Sequence, residues 1–298
     1  MSIDRTTSAL TSLPPGWQRP DMGGSETQSR VQALMSARAG GVSQGPWHSC
    51  NLGDHVQDDA RAVRDNRAVF ARHLGAAPVW LQQVHGHRVL RLDAGSVAQA
   101  AANGPHAVAD GAFTTEPGVG CVVMVADCLP ILVSAPQGRG VAALHAGWRG
   151  LAGVGQGMVP GQGIVHSGVH ALCEATSCDP ADLDVWLGPC IGPSQFEVGA
   201  DVLIGFGVDL RDVHREAALA EAHPRFTPCR VAATETSGMP AERKWLADLP
   251  GLARDALIAL GVQRVCGGDA CTVSDAARFF SYRRDGLTGR LAAGICLR

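Results

Sequence analysis

Residues 118–150, GVGCVVMVADCLPILVSAPQGRGVAALHAGWRG, decide how the rest of this chain can fold. They hold two apolar runs, 121–126 and 141–144, and each run ends at a reactive side chain. Short Val-rich runs bounded by Gly and Pro are typical of buried strands. The first run stops at Asp127-Cys128 and the second at His145. The stretch therefore predicts a thiol and an imidazole at the ends of two core strands.

A third run lies upstream and follows the same pattern. Residues 79–84, VWLQQV, predict a strand that ends in His85. Neutral imidazoles and a thiolate are preferred zinc donors, and three protein ligands leave the fourth position that a catalytic site needs. The spacing of His85, Cys128 and His145 is too long for a zinc finger, so these side chains would have to converge through the fold. Spacing alone leaves that convergence open.

The same residues also allow a different chemistry. Cys128 could act as a nucleophile that His145 or His85 activates, with Asp127 orienting the imidazole. A cysteine hydrolase of this kind would keep its activity after metal removal, whereas a zinc enzyme would lose it.

Composition excludes several classes of protein. With 298 residues, 46% hydrophobic and 18% charged, the chain is typical of a soluble globular protein. Its net charge of -3 argues against a nucleic-acid binder, which would show a basic stripe. No signal peptide and no run of about 18 apolar residues is evident, so we expect neither export nor a membrane span. We expect a cytoplasmic monomer whose ten cysteines are mostly free thiols.

Strand and helix patterns alternate irregularly along the chain. The fold class predicted is therefore α/β (α+β), a single domain with mixed β-sheets packed between helices. The predicted boundaries are a disordered leader, 1–13, and one domain, 14–298; two halves meeting near 150–168 are the alternative. The other predicted elements are a first strand from 31, an amphipathic helix over 58–74 stopped by Gly75, a loose alanine-rich connection over 95–106, a helix over 169–175, a helix over 250–260 and a last strand over 291–297.

Arginine is the natural residue for any anion contact in this chain. Lys244 is its one lysine, and all other basic residues are arginines. Arg149 lies four residues after His145, and Arg283 follows an aromatic cluster. Guanidinium groups present forked donors that suit phosphate or carboxylate oxygens.

Several short motifs follow one another along residues 14–298. They are Gln83-Val84-His85-Gly86, Ala109-Asp110-Gly111, Ala126-Asp127-Cys128-Leu129-Pro130, His145-Ala146-Gly147-Trp148-Arg149-Gly150, Leu187-Gly188-Pro189-Cys190-Ile191-Gly192 and Phe280-Ser281-Tyr282-Arg283-Arg284-Asp285, with Gly41-Val42-Ser43, Asn51-Leu52-Gly53, His55-Val56 and Asn66-Arg67 upstream. Together and in this order, the motifs resemble one known family, the YfiH family. These proteins were once labelled multicopper polyphenol oxidoreductases or laccases and are now described as purine nucleoside phosphorylases.

The resemblance implies a YfiH-like domain that holds zinc through His85, Cys128 and His145, with copper as the alternative ion. It implies phosphorolysis of adenosine, inosine and S-methyl-5'-thioadenosine, with some adenosine deamination. The partners are then purine nucleosides and phosphate. The multicopper label fits poorly, because one Cys and two His make a single small site.

A mechanism can be hypothesised for these residues. Phosphorolysis needs an anion held against the anomeric carbon and stabilisation of the leaving base. Arg149, with Arg67 or Arg283 and the Ser43 hydroxyl, would orient phosphate. Asp127 or the zinc centre would help to protonate the purine.

This chain departs from the family after the His-Ala-Gly-Trp-Arg-Gly turn. Residues 153–166 are longer and richer in glycine than the family's usual continuation, and a disordered surface insertion is the interpretation favoured. Two other functions stay open. One is a cysteine amidase or peptidase acting on cell-wall precursors through Cys128 and His145. The other is a metal-binding or redox partner protein without turnover.

Overall fold

The 118–150 stretch forms three strands that belong to two different sheets. A computed structural model describes residues 12–103, 107–155, 157–209, 211, 223–229 and 243–298. Residues 1–11 of the predicted leader lie outside this range. Strand β5 (Val119–Val125) joins a four-stranded sheet, whereas β6 (Leu129–Ser134) and β7 (Val141–Ala146) are neighbours in a six-stranded sheet.

The remaining elements complete these two sheets and a small third one. The helices are α1 (Ser25–Arg30), α2 (Ala60–Leu74), α3 (Ala94–Asn103), α4 (Trp148–Ala152), α5 (Ile164–Thr176), α6 (Ala200–Gly205), α7 (Leu249–Ala259) and α8 (Tyr282–Asp285). The other strands are β1 (Val31–Met35), β2 (Ala77–Val79), β3 (Val89–Arg91), β4 (Gly111–Thr114), β8 (Asp184–Leu187), β9 (Glu197–Val198), β10 (Phe226–Pro228), β11 (Trp245–Ala247), β12 (Arg264–Gly267) and β13 (Leu291–Leu297).

Both large sheets mix parallel and antiparallel pairs. The four-stranded sheet has the order β1-β13-β5-β2, with β2 parallel to β5 and the other pairs antiparallel. The six-stranded sheet has the order β12-β8-β6-β7-β4-β3, with parallel pairs at its two edges and antiparallel pairs between them. Strands β10, β11 and β9 form the third sheet. The predicted class, a single α/β (α+β) domain with mixed sheets, is confirmed.

The two large sheets pack against each other, and the alternation along β7 shows how. Val141 and Ala143 belong to the core between the sheets, whereas Ala142 and Leu144 face the helices on the other side. Because side chains alternate along a strand, His145 has the parity of Ala143. Cys128 packs against the same inter-sheet core. The two side chains therefore meet at one end of this core.

Helix α2 confirms the prediction over 58–74. The Asp59 carboxylate accepts a hydrogen bond from the Ala62 N–H and caps the first turn. Gly75 adopts the left-handed conformation with φ 73° and ends the helix. Within the described residues, no helix is long and apolar enough to cross a membrane.

Three sequence-based predictions about elements need correction. The strand predicted over 79–84 is wrong, because β2 ends at Val79 and beyond it Gln82 makes only an isolated bridge to Val108. The loose connection predicted over 95–106 is helical through Asn103, and residues 104–106 lie outside the described residues. Alanine has the highest helix propensity, so the alanine-rich composition is consistent with α3.

The 153–166 segment is also more regular than predicted. Gly153 ends α4 with φ 71°, and α5 begins at Ile164 and not near 169. The last three residues of the supposed insertion are therefore the first turn of a helix. Helix α5 packs closely on β7, because a Cβ at Gly168 would lie 2.5 Å from a Leu144 methyl carbon.

Candidate metal centre and adjoining cavity

The three residues predicted as metal ligands converge in space. One ligand atom from each of His85, Cys128 and His145 lies within 4.8 Å of the others. Pairing of β6 with β7 places Pro130 opposite His145, which brings Cys128 to the same end of the hairpin. In the part of the chain that the structure describes, these residues are the one group of three or more His, Cys, Asp or Glu residues whose ligand atoms already lie this close together.

His85 reaches the cluster from a loop, not from a strand. Its backbone has φ 60°, in the left-handed region that residues other than glycine seldom adopt. The carboxylate of Asp110 holds this conformation by accepting hydrogen bonds from the N–H groups of Val84, His85 and Gly86, the last two at 2.8 and 2.7 Å. These hydrogen bonds to Asp110 therefore hold His85 in its strained backbone conformation.

The same carboxylate orients the second histidine. Oδ1 of Asp110 lies 2.8 Å from Nδ1 of His145, and both side chains are buried. An ionised carboxylate only accepts hydrogen bonds, so Nδ1 carries the proton and Nε2 is left for Cys128 or a metal. Asp110 thus anchors two of the three candidate ligands, a role that the sequence analysis missed.

The charges and hydrogen bonds of these groups shift one another's pKa values. Burial alone would raise the pKa of the Cys128 thiol, but the charges and hydrogen bonds of His145 and His85 lower it to about 6. Burial would lower the pKa of His145, yet Cys128 and Asp110 raise it to about 9. Burial likewise opposes the ionisation of Asp110, but its hydrogen bonds from His145 and the 84–86 loop hold its pKa below the usual range.

Glycine is required where the chain passes the cluster. A Cβ at Gly147 would lie 2.8 Å from Cδ2 of His85 and 3.2 Å from Sγ of Cys128. A Cβ at Gly150 would lie 2.6 Å from the Gly86 carbonyl oxygen. These close approaches explain both glycines of the His-Ala-Gly-Trp-Arg-Gly turn, since any side chain would push the His85 loop away.

A cavity of about 950 Å³ adjoins the three residues. Its size is within the range of small-molecule sites, which combine apolar walls with a few polar groups. The apolar part of its wall includes Leu81, Met124, Val125, Ala126, Trp148, Ile191, Phe196 and Leu249. The polar part includes Asp54, His55, Gln82, Gln83, Asp127, Arg149, Tyr282, Arg283 and Arg290.

Asp127, predicted to orient an imidazole or to help protonate the purine, lines this cavity, and both of its carboxylate oxygens accept hydrogen bonds. Oδ1 accepts the Thr272 hydroxyl at 2.6 Å, and Oδ2 accepts the Arg283 backbone N–H at 2.6 Å. Its backbone has φ 98°. The geometry makes Asp127 an anchor for the start of α8, which carries Tyr282 and Arg283 to the cavity wall.

Three arginines reach the cavity without a carboxylate partner among the described residues: Arg149, Arg283 and Arg290. Arg149 stacks over Trp148, with 4.4 Å between its Cζ and the ring centroid. Arg283 donates to the Glu197 carbonyl oxygen at 3.0 Å. Such unpaired guanidinium groups are suited to bind an anion.

Arg290 was absent from the sequence-based prediction. Its Nη1 donates to the carbonyl oxygens of Thr288 and Gly289 at 3.2 and 3.1 Å. Burial lowers its pKa, while the negative charges of Cys128 and Asp127 raise it. A single arginine next to a last strand has no sequence signal, because only the fold brings it to the cavity.

Arg67 and Ser43, predicted to contact phosphate, lie elsewhere. Arg67 pairs with Asp54 at 3.1 Å, stacks over Trp80 and is not part of the cavity wall. Ser43 is buried, donates to Asp58 at 2.6 Å and accepts a hydrogen bond from Asn66 at 2.9 Å. The structure therefore does not bring these two side chains to the cavity surface.

Comparison with known proteins finds relatives that match nearly the whole chain. The family model described as "multi-copper polyphenol oxidoreductase laccase" matches residues 32–298. A Pseudomonas aeruginosa protein named purine nucleoside phosphorylase is 42% identical over 287 residues, which cover 96% of this chain and 98% of that protein. The Escherichia coli purine nucleoside phosphorylase YfiH is 38% identical, with coverage of 96% and 98%.

Solved structures show the same fold. A Neisseria meningitidis protein superposes with a TM-score of 0.74 at 37% identity, over 95% of this chain and 99% of that one. YlmD from Geobacillus stearothermophilus superposes with a TM-score of 0.72 at 31% identity, over 94% and 98%. Since both sequence and fold match over nearly their whole length, the chain belongs to the YfiH family.

Proposed function

We propose that this protein is a zinc-dependent purine nucleoside phosphorylase that acts on adenosine, inosine and S-methyl-5'-thioadenosine, with adenosine deaminase as a side activity. The main observation in its favour is the convergence of His85, Cys128 and His145 beside a cavity that holds three arginines without carboxylate partners. Relatives named purine nucleoside phosphorylase support the same class of reaction.

The donor set fits zinc. Two imidazoles and a thiolate suit a borderline ion, and the Asp110 carboxylate fixes the tautomer that presents Nε2 of His145. When bound, zinc would act as a Lewis acid beside the substrate and activate water for deamination. A set of three ligands is too small for multicopper oxidation, which requires several centres.

The chain's own residues would carry out the binding steps. The apolar wall, with Phe196 and Trp148, would hold the purine base out of water. Arg149, Arg283 and Arg290 would hold phosphate against the anomeric carbon. An oxygen of hydrogen phosphate then bonds to this carbon, the glycosidic C–N bond breaks, and its electron pair leaves with the base. The base takes up the proton that the phosphate gives up, so atoms and charge balance. Asp127 would keep Arg283 in place through the start of α8.

Product analysis tests the proposal. We expect adenosine incubated with the protein and phosphate to give adenine and ribose 1-phosphate, detected by chromatography, and neither product without phosphate. Elemental analysis of the same sample should find zinc. Adenine release that does not need phosphate would contradict phosphorolysis in favour of hydrolysis, and inosine as the sole product would leave only deamination.

The arginines allow a sharper test. We expect Arg149→Ala and Arg290→Ala each to lower kcat/KM for phosphate by about 100-fold, the usual cost of losing one well-placed donor to developing charge. Arg91→Ala is the matched control, because Arg91 is exposed and does not line the cavity. If all three variants kept the wild-type kcat/KM for phosphate, we would conclude that phosphate does not bind at this part of the cavity.

One observation keeps a second function under test. The imidazole of His145 lies between the thiol of Cys128 and the carboxylate of Asp110 and interacts with both. A thiol, an imidazole and a carboxylate arranged in this way are typical of a cysteine hydrolase. His85 has no role in such a triad, whereas it completes a metal site. Sensitivity to chelators therefore separates this alternative, an amidase acting on cell-wall precursors, from the zinc enzyme.

A further inference from the structure

A stripe of metal-ligating side chains runs along the outer face of α5. His166, His170 and Glu174 follow one another at intervals of four residues. Residues four apart lie one above the other on a helix, so the three side chains share a face. The opposite face is buried and comprises Ile164, Val165, Gly168, Val169, Leu172 and Thr176.

Neighbouring members of the stripe are already close. The rings of His166 and His170 lie 6.3 Å apart between centroids and are nearly parallel, with 13° between their planes. Nδ1 of His170 lies 3.8 Å from Oε2 of Glu174. The side chains of His170 and Glu174 are 72% and 77% exposed, so an ion in solution can reach them.

This pattern has a known chemistry. Two histidines four residues apart on a helix can bind the same metal ion from successive turns. Imidazole nitrogen suits zinc, copper and nickel. A carboxylate one turn further can complete the ligand set or orient the adjacent imidazole. We propose that His166 and His170, with Glu174, form a second metal site that binds a divalent ion of the zinc, nickel and copper class.

The proposed site is separate from the centre at His85, Cys128 and His145. The buried face of α5 lies between them, and a Cβ at Gly168 on that face would lie 2.5 Å from Leu144 of β7. An ion on the outer face would link two turns of α5 and touch no residue of the cavity. Its binding should therefore raise the unfolding temperature by mass action without changing turnover.

A pair of cysteines at the end of the same helix is the main competitor for metal. Sγ of Cys173 and Sγ of Cys178 lie 3.9 Å apart, at the turn that ends α5. Thiolates select softer ions such as copper(I). The test must therefore distinguish imidazole from thiol binding.

Nickel(II) is a suitable probe, because it favours imidazole and leaves thiols unoxidised. We expect calorimetric titration of the full chain, carrying no affinity tag, to show one more equivalent of nickel bound than in His166→Ala or His170→Ala. Ser167→Ala on the same helix and Cys173→Ser should retain that equivalent. In histidine-labelled wild-type protein whose centre at His85, Cys128 and His145 has been loaded with zinc, substoichiometric nickel should broaden the His166 and His170 resonances first.

Three results would overturn the site, two from the titration and one from the broadening experiment. One titration result is an equal number of bound equivalents in the wild type and in both histidine variants. The other is loss of the equivalent in Cys173→Ser alone, which would assign the ion to the cysteine pair. The broadening experiment needs no variant to fold, and unchanged His166 and His170 resonances would also exclude the site. We expect phosphorolysis to be equal in all four variants. Because the test measures nickel binding and not turnover, it remains valid if the proposed function is wrong.

Discussion

Replacing Cys128 with alanine is expected to lower nucleoside phosphorolysis by about 1,000-fold, because a bound metal ion supplies several kcal/mol of transition-state stabilisation and each 1.36 kcal/mol is tenfold in rate. Cys128 would provide the one sulfur ligand of the three, and both His145 and His85 act on its thiol. The same variant should lose the zinc equivalent bound at the centre of His85, Cys128 and His145. Initial rates of ribose 1-phosphate formation and elemental analysis measure the two effects.

Cys173→Ala is the control for this variant, since it removes a half-buried thiol remote from the cavity and should leave both quantities unchanged. A cysteine nucleophile would also be lost in Cys128→Ala, so the wild type must be treated with a chelator in parallel. Loss of activity with recovery on adding zinc supports the metal centre. Full activity in the chelated, zinc-free wild type would contradict it.

Asp110→Asn is expected to lower both the stability of the protein and its affinity for metal, because it changes one buried carboxylate that accepts hydrogen bonds from four donors. The N–H groups of residues 84, 85 and 86 and Nδ1 of His145 all point at its oxygens. An asparagine amide keeps the shape but places an NH₂ group against some of these donors. Breaking a buried charge pair costs about 3 kcal/mol of unfolding free energy. Losing a partner that orients metal ligands lowers metal affinity by about 10- to 100-fold.

Urea denaturation of the metal-free protein and zinc titration against a competing chelator measure these two losses. Asp93→Asn is the matched control, since Asp93 is exposed and its carboxylate caps only the start of α3. If Asp110→Asn kept the zinc affinity of the wild type, the carboxylate would not be the shared anchor of His85 and His145.

The sequence predicted the regular core well because its signals there are local. The strand β13 has the predicted bounds, 291–297, and α2 ends at the predicted Gly75. Apolar composition and Gly boundaries decide such elements within a few residues. The three ligands could also be named, but their convergence depends on pairing between distant strands, which spacing does not encode.

The errors have a common physical cause. The run over 79–84 is as apolar as a strand, yet its hydrogen bonds go to the Asp110 side chain and to single bridges. Ser43 was expected at the cavity, but Asp58 and Asn66 satisfy its hydroxyl in a buried network. Arg290 reaches the cavity only through the fold. In each case a partner far away in sequence decides where a polar group points.

The pairing of β6 with β7 has a consequence for how the centre assembles. Cys128 and His145 flank one hairpin, so their approach costs little loop entropy and can occur early in folding. Asp110 directly precedes β4, which pairs with β7, and its carboxylate holds the His85 backbone, so we expect these two residues to join the hairpin later. An ion that needs all three ligands will then bind the finished fold far better than the hairpin alone. Zinc binding would thus favour the last step of folding, and its free energy of binding would add to the free energy of unfolding of the native chain.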